Sequence, residues 1–171
     1  RGSGGGGGGC FTGSTLVSTP NGEVPINELE VGDTVISFDD KACLHEAKVL
    51  KVHIHQNNKV NRYHFWGSGH LEATPDHWVL NQFNPFVAIG SLGSDDCLID
   101  ANNHLRPILG IETVGATAVY NLTVESQHTF IANGIRVHNA GLGVGVIQGS
   151  GGGGKGGGGG SPTEDDDSLF S

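Results

Sequence analysis

The sequence AVYNLTVESQHTFIANGIRVHN, residues 118–139, contains three β-prone runs: 118–125, 128–132 and 135–137. These runs are rich in valine, isoleucine, threonine and aromatic side chains, which are favoured in strands. Asn133 and Gly134 separate the last two runs, and an Asn-Gly pair between such runs is a strong hairpin signal. The stretch therefore predicts paired strands at the end of a β domain.

The same pattern extends back to residue 10. The sequence there predicts further strands and a hairpin turn at Pro20-Asn21-Gly22. About a dozen short runs without a helical period predict an all-β domain with one helical turn at most, around residues 25–29. The other predicted strands are 15–18, 34–38, 47–56, 62–66, 70–73, 78–80, 86–89, 97–99 and 107–114.

The glycines divide the chain into three segments. Of 30 glycines, seven lie in residues 1–9 and thirteen in residues 140–171, which leaves ten for residues 10–139. Glycine-rich segments cannot bury an apolar core, so they read as flexible flanks. We therefore expect one domain at 10–139, an upstream flank at 1–9 and a glycine-rich and acidic downstream flank at 140–171.

Charge and cysteine content limit the possible partners. The net charge is −9 and no basic stripe is present, which argues against binding to nucleic acid or to anionic membranes. The sequence contains no run of about 18 apolar residues, so we expect no transmembrane helix. Three cysteines (Cys10, Cys43 and Cys97) without a C-x-x-C pair argue against a disulfide framework or a thiolate zinc site. A reducing cytosol is the natural setting, and a monomer without cofactor or metal is expected.

The two ends of the predicted domain carry reactive groups. The domain starts on Cys10, whose thiol can attack the carbonyl of Gly9 and turn that peptide bond into a thioester. It stops on Asn139, whose side-chain amide can attack its own backbone carbonyl and release Ala140 with everything that follows. Both steps need a polarised amide and a proton donor for the leaving nitrogen.

Several motifs resemble those of inteins, in order and in spacing. They are CFTGST at residues 10–15, ATPDH at 73–77, YNLTV at 120–124, HTF at 128–130 and GIRVHN at 134–139. The resemblance spans residues 10–139 and implies the Hint (hedgehog/intein) fold, a flattened pseudo-symmetric β structure with both termini at one site. The stretch between His77 and Asn121 is too short for a homing endonuclease.

The resemblance also implies roles for individual residues. Cys10 would be the nucleophile, and His77 would contact the amide nitrogen and donate a proton, with Thr74 holding that geometry. Asn139 would cyclise, assisted by His138 and His128. The substrate would be the flanking polypeptide of the chain itself.

Two positions depart from the usual intein pattern. Ala140 stands where inteins have Ser, Thr or Cys, so the upstream arm cannot be received as an ester. This change points to the bacterial intein-like subgroup, which mainly cleaves at both ends. Asn121 stands where inteins often have Asp, and an asparagine can hydrogen-bond but cannot act as a general base.

Three other interpretations remain open. A hedgehog-like domain would pass the thioester to an outside nucleophile, although the His138-Asn139 pair and the continuing chain argue against it. A non-catalytic β spacer would carry out no chemistry. Several histidines suggest a metal site, but a solvated strand face explains them better; they are His45, His53, His55, His64 and His70.

The downstream arm carries a second resemblance. Residues 155–171, KGGGGGSPTEDDDSLFS, are similar to the N-terminal stretch of tail-tip (host-specificity) proteins of lambda-like phages. This resemblance implies a phage tail protein as host and processing in an infected bacterial cell.

Overall fold

The computed structural model describes residues 9–83 and 86–138. The predicted boundary residues Asn139 and Ala140 lie outside this part, as do the arm at 140–171 and all but Gly9 of the upstream arm. Twelve strands and two single-turn 3-10 helices form within the described ranges. Neither of these helices is long and apolar enough to cross a membrane.

The strands vary greatly in length, from two residues to 22. The 3-10 helices are Ile26–Glu28 and Ile89–Ser91. The strands are β1 (Phe11–Thr12), β2 (Leu16–Thr19), β3 (Gly22–Pro25), β4 (Thr34–Phe38), β5 (Leu44–Phe65), β6 (Gly69–Ala73), β7 (Trp78–Leu80), β8 (Phe86–Ala88), β9 (Cys97–Ile99), β10 (Leu105–Val124), β11 (Thr129–Ala132) and β12 (Ile135–His138).

Two antiparallel sheets of six strands make up this part of the chain. The first has the order β4-β5-β6-β1-β10-β9, and β5 also pairs with β10, so β5, β6, β1 and β10 close into a ring. The second has the order β3-β2-β11-β12-β7-β8. The short strand β1 thus lies between β6 and β10, which decides what surrounds the residues just before it.

The all-β prediction is confirmed, and so is the helical turn near residues 25–29. The predicted strand lengths are wrong in two places, because 47–56 joins 62–66 in β5 and 107–114 joins 118–125 in β10. Gly115 interrupted the second pattern, but a glycine at φ 116° continues the strand through an irregular register step. Predicted strand 86–89 ends one residue early, since Ile89 begins the second 3-10 helix.

The main core contains side chains of both sheets. Phe11, Phe130 and Leu122 are fully buried in it, and burial of each such side chain contributes roughly 1.5–3 kcal/mol. The rings of Phe11 and Phe130 meet edge to face, with centroids 6.0 Å apart. Phe11 therefore anchors the start of the domain and fixes where Cys10 lies.

Candidate active site

Strand register brings distant residues to the peptide bond between Gly9 and Cys10. Phe11 of β1 pairs with Tyr120 of β10 on one side and with Ala73 of β6 on the other. Because these pairs are antiparallel, the residue before Phe11 lies beside the residue after each of its partners. Those two residues are Thr74 and Asn121.

Both polar atoms of this peptide bond are hydrogen-bonded to buried side chains. The Gly9 carbonyl oxygen accepts a short hydrogen bond from Asn121 Nδ2. The Cys10 backbone N–H donates to Thr74 Oγ1 over 2.8 Å. Asn121, from β10, thus holds the oxygen of this amide, and Thr74, which follows β6, holds its nitrogen. Together they fix the orientation of the amide plane.

A backbone contact sets the orientation of the Asn121 side chain. Its Oδ1 accepts a hydrogen bond from the Leu122 N–H over 2.8 Å. With the oxygen occupied, the amide nitrogen is the atom that faces the Gly9 carbonyl. The side chain is 1% exposed, so this donor lies in a site largely without water, where its dipole acts strongly on charge that develops on the carbonyl.

Thr74 belongs to a tight turn at residues 74–77. Its N–H donates to the Cys10 carbonyl over 2.9 Å and its carbonyl accepts from the His77 N–H over 3.1 Å. Its hydroxyl donates to Asp76 Oδ1 over 2.7 Å. That bond uses the hydroxyl hydrogen, so the oxygen is left to accept from Cys10. Asp76 therefore orients Thr74.

The second 3-10 helix supports this turn from the other side. Ile89 N–H donates to the His77 carbonyl over 2.7 Å, and Gly90 N–H donates to the Pro75 carbonyl over 2.7 Å. A Cβ at Gly90 would lie 2.6 Å from Pro75 Cβ. The close approach of the two backbones thus needs glycine at this position.

His77 lies fully buried beside the Gly9 backbone. Burial lowers the pKa of the imidazole to about 4, although the Gly9 backbone and the Asp76 carboxylate oppose this shift. The geometry towards Gly9 falls short of a hydrogen bond, and both ring nitrogens lack a partner within residues 9–83 and 86–138. The ring packs on Phe11 with centroids 3.9 Å apart. At neutral pH His77 is therefore an uncharged, unpaired proton acceptor beside Gly9.

The Cys10 thiol lies in an apolar pocket and is 6% exposed. Val60 and Val119 pack against it. Burial raises the pKa of the thiol to about 12, and the negative charge of Asp76 adds to this shift. At neutral pH the thiol is therefore protonated, and it would have to lose its proton before the sulfur could act as a nucleophile.

A second group of side chains surrounds His138 at the end of β12. The His138 ring lies 4.9 Å from the ring of Phe86, 5.5 Å from that of Trp78 and 6.4 Å from that of His128, measured between centroids. His128 has a left-handed backbone with φ 59°. Burial lowers the pKa of His128, while a hydrogen bond to the Val124 backbone raises it. The rings of Phe86, Trp78 and His128 thus lie around the His138 ring.

Two adjacent residues connect the two groups. His77 lies against Gly9 at the upstream boundary, while Trp78 lies against His138 at the downstream boundary. Strand β7, which begins at Trp78, pairs with β12 through Val79 and Val137. Gly9 and His138, the first and last residues that the structure describes, therefore both lie against the segment 77–78.

The structure brings the sequence-predicted residues together in two sets. The residues at the upstream bond are Gly9, Cys10, Thr74, His77 and Asn121. The second set consists of His128 and His138, and Asn139, which follows His138 in the sequence, lies outside the described residues. Sequence reasoning gave no role to three residues that touch these sets: Asp76, Trp78 and Phe86. Asp76 could have been noticed inside the ATPDH motif. The two aromatic residues carry no signal in the sequence, because packing against His138 depends on β7 and β8 lying beside β12.

Of the other histidines, His64 and His70 are cross-strand partners whose ring centroids lie 6.0 Å apart. His53 Nε2 lies 2.7 Å from Thr123 Oγ1, and His64 Nε2 lies 2.6 Å from Glu112 Oε1. Within the described part of the chain, no group of three or more His, Cys, Asp or Glu side chains is placed to hold a metal ion.

Solved structures share this arrangement of strands. The DnaB intein from Synechocystis sp. PCC 6803 is 24% identical with a TM-score of 0.71, and the match covers 77% of this chain and 99% of that one. The gp41-1 intein is 28% identical with a TM-score of 0.68, over 77% and 99% of the two chains.

The fold is the Hint fold of inteins. A bacterial intein-like domain from Clostridium thermocellum shares it, with 25% identity, a TM-score of 0.71 and coverage of 76% and 98%. No protein-family model and no curated protein sequence matches the chain. The likeness to these structures thus confirms the Hint fold that the motifs predict.

Proposed function

We propose that residues 10–139 process their own chain autocatalytically. They would break the Gly9–Cys10 bond through a thioester and the Asn139–Ala140 bond through cyclisation of Asn139. The observation that carries this proposal is the Gly9–Cys10 peptide bond, held at both polar atoms by Asn121 and Thr74. The likeness to inteins supports self-processing as the general activity.

The first step is an exchange of an amide for a thioester. The Cys10 sulfur bonds to the Gly9 carbonyl carbon, the bond from that carbon to the Cys10 nitrogen breaks, and the thiol proton ends on this nitrogen. No water or cofactor is consumed. The product is a Gly9 thioester on the Cys10 side chain, with a free α-amine on Cys10.

Asn121 stabilises the intermediate of this step. As sulfur attacks, negative charge develops on the Gly9 oxygen, to which the Asn121 amide already donates. A preorganised donor of this kind typically contributes about 100- to 1,000-fold in rate. An ionised aspartate here would place negative charge against the oxyanion. Asparagine is thus the better residue for this role.

His77 carries the proton between the two atoms that exchange it. Burial keeps His77 uncharged at pH 7. Because its pKa of about 4 lies far below that of the thiol, about 12, it would take up the thiol proton only as the sulfur bonds to the Gly9 carbonyl carbon. Once protonated, it donates that proton to the departing Cys10 nitrogen. Thr74 holds this nitrogen in place during the transfer.

The second step releases the downstream arm. The Asn139 side-chain nitrogen bonds to the backbone carbonyl carbon of Asn139, and the bond from that carbon to the Ala140 nitrogen breaks. The side chain loses one proton and the Ala140 amine gains one, with His138 and His128 as the carriers. Asn139 becomes a succinimide, and the arm starting at Ala140 leaves with a free amine.

Two fates then compete for the thioester. Water or an added thiol would release residues 1–9 and leave three separate pieces. The free amine of Ala140 would instead form a Gly9–Ala140 peptide bond and join the arms. Ala140 has no hydroxyl or thiol, so joining would proceed by this direct attack rather than through an ester.

Intact mass of the full chain, expressed and then incubated with dithiothreitol at pH 7.5, tests the proposal. We expect fragments that end at Gly9 and at Asn139. Cys10→Ala should abolish only the upstream cut and Asn139→Ala only the downstream cut, with Cys43→Ala as a matched control that changes neither. A chain that stays uncut throughout the incubation would refute self-processing.

A further inference from the structure

The Gly9 α-carbon lies directly against the backbone of His77. A Cβ built on Gly9 would be 2.2 Å from His77 Cα, 2.3 Å from its backbone nitrogen and 2.5 Å from its Cβ. Non-bonded carbon atoms rest about 3.5–4.0 Å apart. Even a methyl group at this position would overlap atoms that belong mainly to the main chain, so a change of rotamer cannot relieve the overlap.

His77 cannot retreat from this contact at low cost. Its N–H and carbonyl are hydrogen-bonded to Thr74 and Ile89, at 3.1 Å and 2.7 Å. Its ring is fully buried against Phe11. Moving the residue would break the turn at 74–77 and displace the side chain that the proposed proton transfer needs.

Hydrogen bonds on either side of the Gly9–Cys10 amide also fix the position of Gly9. Its carbonyl accepts from Asn121, and the next nitrogen along the chain donates to Thr74. A residue with a side chain could fit only by pulling the peptide away from His77. That movement would withdraw the carbonyl from Asn121, the donor on which attack by the sulfur depends.

We propose that the position before Cys10 is a glycine-specific substrate subsite, closed by the His77 backbone. The site accepts upstream polypeptides that end in glycine and rejects those that end in any residue with a Cβ. This inference rests on the proposed thioester chemistry at Gly9. The upstream arm agrees with it, since residues 4–9 are all glycine.

Upstream cleavage of the full chain carrying Gly9→Ala or Gly9→Val, trapped with saturating dithiothreitol, tests the specificity. We expect the rate to fall about 100-fold for Gly9→Ala, as for other displacements of about 1 Å in an active site, and at least as far for Gly9→Val. Gly8→Ala is the matched control and should leave the rate unchanged. The downstream cut in the same sample reports that the domain is folded.

A second measurement follows the contact without any cleavage. In the full-length chain carrying both Cys10→Ala and Asn139→Ala, which should cut at neither boundary, NMR titration of the His77 ring should give a pKa well below the ordinary value. Adding Gly9→Ala should raise that pKa, because relief of burial, the largest cause of the shift, outweighs loss of the Gly9 backbone contact. A Gly9→Ala chain that cleaves at the wild-type rate, or that leaves the His77 titration unchanged, would overturn the specificity alone. A wild-type chain that never cuts at Gly9 would instead overturn the proposed function, and the specificity with it.

Discussion

The two ends of this domain are held by different kinds of contact. At the upstream end, the peptide bond between Gly9 and Cys10 accepts a hydrogen bond from Asn121 and donates one to Thr74. At the downstream end, the rings of Trp78 and Phe86 surround His138. We therefore expect the upstream step to be the more sensitive to loss of a hydrogen-bond donor, and the downstream step to be the more sensitive to loss of an aromatic contact.

The largest expected effect is at Asn121. Asn121→Leu keeps a similar volume but removes the donor to the Gly9 carbonyl. We expect upstream cleavage to slow by about 100- to 1,000-fold, while downstream cleavage keeps its rate. Asn58→Leu, an exposed change on strand β5, is the control. Equal loss at both ends, measured by intact mass over time, would contradict an upstream role and would erase the contrast between the ends.

His77 should determine how upstream cleavage depends on pH. Between about pH 5 and pH 11 His77 is neutral and the Cys10 thiol is protonated, because their pKa values are about 4 and about 12. Transfer of the proton within the site then needs no net uptake or release, so the rate should be flat across this window. It should fall as the pH drops towards 4, since a protonated His77 cannot accept the thiol proton.

His77→Gln tests that explanation. Without the acceptor, hydroxide must remove the thiol proton, so the rate should rise about tenfold per pH unit. At pH 7 it should lie about 100-fold below wild type. Precursor loss at saturating thiol, followed from pH 5.5 to pH 9, gives both profiles. Parallel profiles for the two chains would show that His77 does not relay the proton.

Phe86 should matter at the downstream end alone. Phe86→Leu removes the edge-to-face contact with His138, so we expect downstream cleavage to slow by about tenfold through loss of orientation. Phe83→Leu is a matched control, because Phe83 is 78% exposed. Phe86 also lies 6.3 Å from Phe38, so thermal unfolding must be compared. An upstream rate that falls in parallel would indicate general destabilisation.

The smallest expected effect is at Asp76. Asp76→Asn keeps an oxygen that accepts from Thr74 and removes a negative charge that raises the pKa of Cys10. The side chain is exposed and solvent screens its charge. The same charge raises the pKa of His77, so its removal has two opposed effects, and upstream cleavage should change by no more than about twofold. A reaction slowed by more than this, in the same assay, would show that the charge itself is needed to hold Thr74 or His77.

Much of the site was predictable because its residues lie at strand ends and at the domain boundary. Cys10 was expected from its place at the domain boundary, and Thr74 and His77 from the resemblance of their motif to that of inteins. The role of Asn121 was harder to predict, since its usefulness depends on Leu122 occupying its oxygen. The glycine requirement at residue 9 follows from a distance between two backbones, and no pattern of residue types encodes such a distance.

The long strands show a similar limit. The sequence predicts two separate strands on either side of the exposed, polar residues Asn57 and Asn58, where β5 is continuous. It likewise predicts two strands on either side of Gly115, where β10 is continuous. Pairing overrode both signals, because each of these strands supplies the hydrogen-bond partners of the other along nearly its whole length. Local propensity therefore located the strands but could not set their lengths.

The close fit between Gly9 and His77 has a consequence for the direction of the reaction over time. Under the proposed function, Gly9 would complete the site and would also depart with the upstream arm. The space beside His77 would then open to solvent, and the Asn121 amide would exchange its carbonyl partner for water. The released arm would have to displace that water to return, so each chain would carry out the upstream reaction once.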